Sequence, residues 1–232
     1  MIGRFFLSWL FQLTIVVVVL AQQDSVARVP PETKRNAFSL VLPAALTVYG
    51  FVALNSHPLQ SFDRNIREAV WFDNPHHPFP LDDYLQYAPG AAVYILNAAG
   101  IKGRNNFWDR TIIYAMANAM MGITVLSLKS AIYAKRPDGS ANDGFPSGHA
   151  ATAFAAAEFL RQEYRDVSWW YGAGGYTAAI VTAYLRVYND QHWFSEVVTG
   201  AGIGILSAKL SYWIFPAVQK RLPGYKKTFV IP

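Results

Sequence analysis

The stretch IIYAMANAMMGITVLSLKSAIYAKRP, residues 112–137, decides how the rest of the chain is read. Its first part, 112–128, carries no charged side chain and is about as long as a helix must be to cross a bilayer core, roughly 20 residues. It then runs into Lys129, Lys135 and Arg136 and stops at Pro137. An apolar rod that ends in clustered cations and a proline predicts a membrane helix with chemistry at its mouth. Working outward, five further apolar segments appear, at 38–54, 84–101, 148–160, 169–185 and 194–215. None alternates with the period of two that a barrel strand requires. The expected fold class is therefore all-α, a polytopic membrane helical bundle with six core helices. Segment 148–160 is short for a span and fits if its first turn opens into a water-filled site.

Composition agrees. Of 232 residues, 53% are hydrophobic and only 15% charged, where a soluble protein carries about 25%. Aromatics reach 15%, with 7 Trp and 13 Tyr, which suits membrane interfaces. There is no Cys, which excludes disulfides, thiolate catalysis and zinc-thiolate sites. The net charge of +5 is compatible with nucleic acid or with basic loops beside a membrane. The loops decide between them. If six segments span, one face holds Arg28, Lys34, Arg35, Lys102, Arg104, Arg110, Arg161, Arg165, Lys220, Arg221, Lys226 and Lys227. The other holds only Arg64, Arg67, Lys129, Lys135, Arg136 and Arg186. This bias puts the first face in the cytoplasm and accounts for the charge without nucleic acid as a partner.

The chain divides into residues 1–21, a signal peptide or membrane anchor; 22–37, a linker; 38–215, the helical bundle; and 216–232, a basic C-terminal tail. A cleaved signal would place Gln22 outside and invert the orientation that the loop charges give, so the two signals conflict; the loop charges carry more weight. Ser61 to Phe72 has Phe62, Ile66, Ala69 and Val70 on one side and Asp63, Arg64, Arg67 and Glu68 on the other, as in a helix lying in the interface.

Three motifs fall at helix ends on the less basic face. In the first, Lys129 and Arg136 are seven apart, which on a continuing helix puts both on one side with no acid between them. They repel unless they share an anion or a lipid headgroup. In the second, Pro146-Ser147-Gly148-His149 opens a helix, with Ser147 as N-cap and free N–H groups that favour an anion; a plain capped helix with an interfacial His reads the same way. The polyalanine character of residues 150–157 gives that helix a thin profile for close packing. In the third, Arg186 precedes His192 and Glu196, which are four apart. A carboxylate there accepts the His Nδ1–H and leaves Nε2 free as nucleophile or base; a purely structural His–Glu pair has the same spacing. Together the motifs bring three cations, two His and one acid to neighbouring helix ends, the equipment for phosphoryl transfer.

At these residues the chain resembles the type 2 phosphatidic acid phosphatase superfamily, which includes vanadium haloperoxidases. Lys129 to Pro137 matches Lys-x6-Arg-Pro, and Pro146 to His149 matches Pro-Ser-Gly-His. Leu185 to Glu196 matches the third signature, with Leu185 in place of Ser and Glu196 in place of Asp. The resemblance covers about residues 38–215. It implies that Lys129, Arg136, Ser147, Gly148 and Arg186 bind the phosphate, that His192 attacks phosphorus and becomes phosphohistidine, that His149 protonates the leaving oxygen, and that Glu196 orients His192. No metal and no cofactor is implied. The implied function is hydrolysis of a membrane lipid phosphate monoester or diphosphate, of the lipid A, undecaprenyl diphosphate or phosphatidylglycerol phosphate class, with overall resemblance leaning to lipid A. The implied place is a bacterial inner membrane with the site facing the periplasm. The alternatives are a vanadate-dependent haloperoxidase and a degenerate phosphate-lipid-binding protein.

Other features read as structure. His76 and His77 are adjacent and diverge, so they make a poor metal pair. Asp138, Asn142 and Asp143 lack the spacing and closing Glu of a calcium loop and read as turn chemistry. Gly200, Gly202 and Gly204 form a small-residue stripe for packing within the chain. Trp169, Trp170, Trp193 and Trp213 read as interface anchors or core.

Overall fold

The computed structural model describes residues 36–221. The signal or anchor assigned to 1–21, the linker as far as residue 35 and the tail beyond 221 lie outside the described residues, together with five of the counted cations: Arg28, Lys34, Arg35, Lys226 and Lys227. The fold is all-α. Among the described residues eight α-helices follow one another: α1 Val41–Ala53, α2 His57–Arg67, α3 Asp82–Leu85, α4 Ala88–Ala98, α5 Phe107–Ala131, α6 Gly148–Tyr164, α7 Trp169–Tyr188 and α8 Phe194–Gln219.

α6 is the axis of the bundle. It packs between α7 and α8, and α8 in turn packs on α1 and α5. Ala150, Ala151, Ala153, Ala155, Ala156 and Ala157 are all fully buried, so the thin profile expected from the sequence is used for packing. The glycine stripe of α8 meets it. A Cβ on Gly200 would strike the Ser147 carbonyl, and one on Gly204 would strike the Ala151 carbonyl. Gly202 faces the other way, where a Cβ would lie 2.5 Å from Thr47 Oγ1 and 2.6 Å from the Pro43 carbonyl in α1. Backbones this close exclude any larger side chain, which is how apolar helices associate without a hydrophobic drive between them.

All six apolar segments are helical, but they do not make six uniform spans. Among the described residues two helices, α5 and α8, are long and apolar enough to cross a membrane, and the bent pair Ala37–Ala53 and His57–Phe72 makes a third if counted as one span. This is an integral membrane protein. The pair turns by 96° between its halves. Segment 84–101 is broken into α3 and α4, because Pro89 starts a fresh helix and Gly100, at φ +89°, follows its end. α4 has 11 residues, about 16 Å, half the thickness of a bilayer core. Segment 148–160 is longer than its apolar run: the helix continues to Tyr164 with Glu158, Gln162 and Glu163 buried inside the bundle. The last helix runs through Pro216 to Gln219, so the tail begins later than expected.

The interfacial helix expected over 61–72 starts earlier, at His57, and one of its polar positions is internal. Asp63 is buried and accepts hydrogen bonds from the Ser195 N–H (3.0 Å) and hydroxyl (2.5 Å). It ties α2 to the first turn of α8.

Candidate active site

His192 sits in the turn between α7 and α8, two residues before Phe194, the first residue of α8. The turn is built by Asp190, which adopts φ +57°, a left-handed conformation that Asp tolerates better than most residues. Arg67 holds it there through two hydrogen bonds of 2.7 Å to the carboxylate. The His192 N–H then bonds back to the Arg186 carbonyl at 3.2 Å. In α8, Glu196 reaches back. Its Oε2 accepts from the Trp193 N–H (3.1 Å), as a capping residue does, and from His192 Nδ1 (2.9 Å). A proton held on Nδ1 leaves the Nε2 lone pair free. Burial first, and then Arg186, Lys129, Arg136 and His149 around it, hold the His192 imidazole well below the ordinary histidine range, so the ring is neutral at neutral pH.

Glu196 itself is accommodated by a residue that sequence reading passed over. A Cβ on Gly144 would lie 2.5 Å from Glu196 Oε1 and 3.1 Å from Cδ. The longer acid thus fits because its neighbour has no side chain. Leu185, where the family signature has Ser, is a buried apolar residue of α7.

Lys129 and Arg136 come together, though not on one helix. α5 ends at Ala131, and Arg136 lies in the loop beyond it. The anion they share is internal. The Arg136 guanidinium binds Asp143 through Nε (2.8 Å) and Nη2 (3.2 Å). The Lys129 ammonium lies 3.6 Å from the same carboxylate and donates to the Asp143 carbonyl. Asp143, read from the sequence as turn chemistry alone, is therefore the partner that the Lys129–Arg136 pair lacked. Arg136 also donates to Gln191 Oε1 at 2.9 Å, next to His192.

Arg186 and His149 are engaged in the same way from the other side. Arg186 Nη1 is 2.5 Å from Asp82 and 3.9 Å from Asp83, while His149 Nε2 is 2.9 Å from Asp83 Oδ1. Asp82 is also bound by Asn189 Nδ2 at 2.9 Å. The Nε of Arg186 is buried and has no hydrogen-bond partner, a free donor at the site. Asp82, Asp83 and His149 offer ligand atoms within 4.8 Å of one another, a spacing a cation could bridge, and Arg186 already supplies positive charge there. Sequence reading missed this acidic pair. The available signal was two adjacent carboxylates just after Pro80, at the start of a short helix.

Ser147 is the N-cap of α6, its Oγ accepting from the Ala150 N–H at 3.4 Å, and its own N–H donates to the Glu196 carbonyl at 3.1 Å. Its hydroxyl proton remains to donate. At Gly148 the nearest atom to an added Cβ is a Val125 methyl at 3.9 Å, so packing does not demand glycine there. A cavity of about 310 Å³ is lined by Glu196 together with Gln60, Asp63, Arg64, Lys135 and Trp193. None of the three site cations lines it; aspartates fill the space around them instead.

Away from the site, His76 stacks on Tyr188 at 3.6 Å, and its Nε2 lies 2.8 Å from the Tyr188 carbonyl. Trp169 and Trp170 are exposed and stacked at 3.8 Å, as interface anchors would be. Trp193 instead donates to the Lys135 carbonyl at 3.1 Å and carries Arg67 over its ring.

The site thus gathers a buried His–carboxylate pair and three cations at the ends of helices in a membrane protein. The family description "PAP2 superfamily" matches residues 110–220 of the chain. The match includes every site residue proposed from the sequence. The lipid A 1-phosphatase of Porphyromonas gingivalis is 38% identical over 194 residues, which is 83% of this chain and 41% of the relative. The chain thus spans less than half the length of that relative. The solved structure of a transmembrane PAP2-type phosphatidylglycerolphosphate phosphatase from Bacillus subtilis shares the fold. Its TM-score is 0.53 at 20% identity, over 80% of this chain and 99% of that one.

Proposed function

We propose that the protein is a metal-independent phosphatase acting on a lipid phosphate monoester or diphosphate through a phosphohistidine. The observation that carries this is the buried His192, its Nδ1 bound to Glu196 at 2.9 Å and its charge suppressed by burial and by Arg186, Lys129, Arg136 and His149 around it. Lys129, Arg136 and Arg186, with Ser147 and the Gly148 N–H at the start of α6, hold the phosphate oxygens and stabilise the charge that builds on them. His192 Nε2 attacks phosphorus. The P–N bond forms as the bond to the lipid oxygen breaks, and His149 gives that oxygen its proton. Glu196 balances the charge on the N-phosphorylated imidazolium. Water, deprotonated by His149, then cleaves the P–N bond and releases phosphate.

In this reading residues 38–215 form one unit of six helical segments, with shorter ones completing the bundle around α5 and α8. The less basic face, which carries the site, lies in the periplasm of a bacterial inner membrane, and the substrate reaches it from the outer leaflet. Among substrate classes the lipid A type is favoured, since the relative at 38% identity is a lipid A 1-phosphatase. Phosphatidylglycerol phosphate and undecaprenyl diphosphate follow.

The test is a panel of purified lipid phosphates incubated with the full chain in detergent. Phosphate release is expected, fastest from lipid A. Rapid quench with radiolabelled substrate should trap an acid-labile, alkali-stable phosphoenzyme. Release without any such species would remove His192 from the nucleophile role, and no release from any lipid would sink the reading.

A further inference from the structure

Two of the aspartates at the site differ from the third in how firmly they are held. Asp82 is 1% exposed and fixed by both Arg186 and Asn189. Asp143 and Asp83 have side chains 45% and 54% exposed, one on the loop after α5 and the other on the four-residue helix α3. Each sits where the Proposed function, on which this inference rests, puts substrate. Asp143 occupies Lys129 and Arg136, which would take phosphate oxygens, and Asp83 occupies His149 Nε2, which would face the leaving oxygen.

We propose that Asp143 and Asp83 are placeholder anions: they occupy the phosphate subsite in the empty protein and are expelled together by the incoming substrate. Charge bookkeeping makes them competitors of the incoming anion. Three cations, Lys129, Arg136 and Arg186, face three aspartates, Asp82, Asp83 and Asp143. The His192–Glu196 pair stays paired in both states, and Arg67 is matched by Asp190, so they cancel from the comparison. When two exchangeable carboxylates leave, a dianion restores neutrality among the cations. A monoanion leaves one partly buried cation uncompensated, which is costly in a site of low polarity. The buried and unpartnered Nε of Arg186 adds a donor that neither aspartate uses and a tetrahedral anion can. The placeholders thus keep three cations compensated while the site is empty, and the three cations and Asp82 that stay behind when they leave favour a phosphate monoester with both charges over a diester or sulfate ester with one.

Methyl phosphate at a pH where it is a dianion and methyl sulfate, a monoanion of similar shape, separate these terms. Their binding to the full chain purified in detergent can be followed by ligand-observed NMR. The wild type should prefer methyl phosphate by about tenfold or more. Asp143→Asn removes an anion that either ligand must expel, so methyl phosphate and methyl sulfate should both bind about tenfold tighter, with the preference between them unchanged. Asp83→Asn should act in the same direction through an independent element, which covers a failure of either variant to fold. Thermal melts report that folding. Unchanged methyl sulfate affinity in a folded variant, or weaker methyl phosphate binding, overturns the proposal. Wild-type phosphate release from a lipid alongside such flat titrations overturns the placeholders and leaves the phosphatase reading intact. A wild type that neither releases phosphate nor binds methyl phosphate overturns both.

Discussion

The two ends of α6 carry two charge clusters of opposite character. At the N-terminal end, around His149, Arg186, Lys129 and Arg136 are matched by aspartates, two of which are half-exposed and held from one side. Nine residues along, about 14 Å on a helix, Glu158 is fully buried and saturated with donors. It accepts from Arg161 Nε (2.7 Å) and Nη2 (2.6 Å), from Gln162 (2.8 Å) and from the Tyr176 hydroxyl (2.6 Å), and Lys209 lies 3.3 Å away. Glu163 beyond it is closed in the same manner by Asn105 and Tyr212. The contrast separates two uses of charge in one bundle. A saturated carboxylate cannot accept a ligand and serves to join α6, α7 and α8. A cluster whose anions are exposed and loosely held can exchange them.

Breaking the exchangeable end should cost activity without stability. His192→Ala is expected to lower lipid phosphate turnover by roughly 10⁴-fold or more, with an unchanged thermal melt at neutral pH, because a missing nucleophile removes what the whole catalytic group contributes. A steady-state assay that finds near-wild-type turnover would refute the assignment. Breaking the saturated end should do the reverse. Glu158→Ala strands Arg161 and Lys209 without their acid and is expected to cost roughly 3–5 kcal/mol of stability, read from detergent unfolding, while the folded fraction keeps its turnover. Loss of turnover per folded molecule would show that the two ends are coupled.

A smaller effect tests the seating of the pair itself. Gly144→Ala drives a methyl into Glu196 and should reduce kcat about 10- to 100-fold. Adding Glu196→Asp should recover much of the loss, since the shorter acid vacates that space; no recovery would mean that Gly144 matters for some other reason. The smallest expected effect is in the pH dependence of stability. The folded protein holds His192 below the ordinary histidine range, so the unfolded chain binds the extra proton first and stability rises with pH through that range. Asp143 is depressed, chiefly by its hydrogen bond from Arg136, so its contribution is present above the ordinary Asp range and is lost as pH falls through the folded value. Both terms make acid destabilising. Melts on either side of the histidine range should show the slope, and His192→Ala should flatten it.

Much of the site was legible because its parts are local. His192 and Glu196 are four residues apart, Ser147 caps its own helix, and the cations stand next to helix ends that hydropathy marks. The acids that answer those cations were not. Asp82 and Asp83 lie more than a hundred residues from Arg186, and Asp143 looked like an ordinary turn residue. Helix lengths were also misjudged where charge and burial part company. Hydropathy ends α6 at residue 160 because Glu158, Arg161 and Glu163 look like a boundary, yet each is paired inside the bundle or at its edge.

What the sequence by itself determined is the set of apolar helices, their thin faces of Ala and Gly, and the polar motifs at their ends, since each depends on spacings of a few residues that helical geometry converts directly into faces and caps. What only the tertiary structure decided is which anions balance the cations, which polar residues are internal, and which apolar segments are long enough to span. Those depend on contacts between distant parts of the chain, where the energy of a charge is set by what happens to be folded against it.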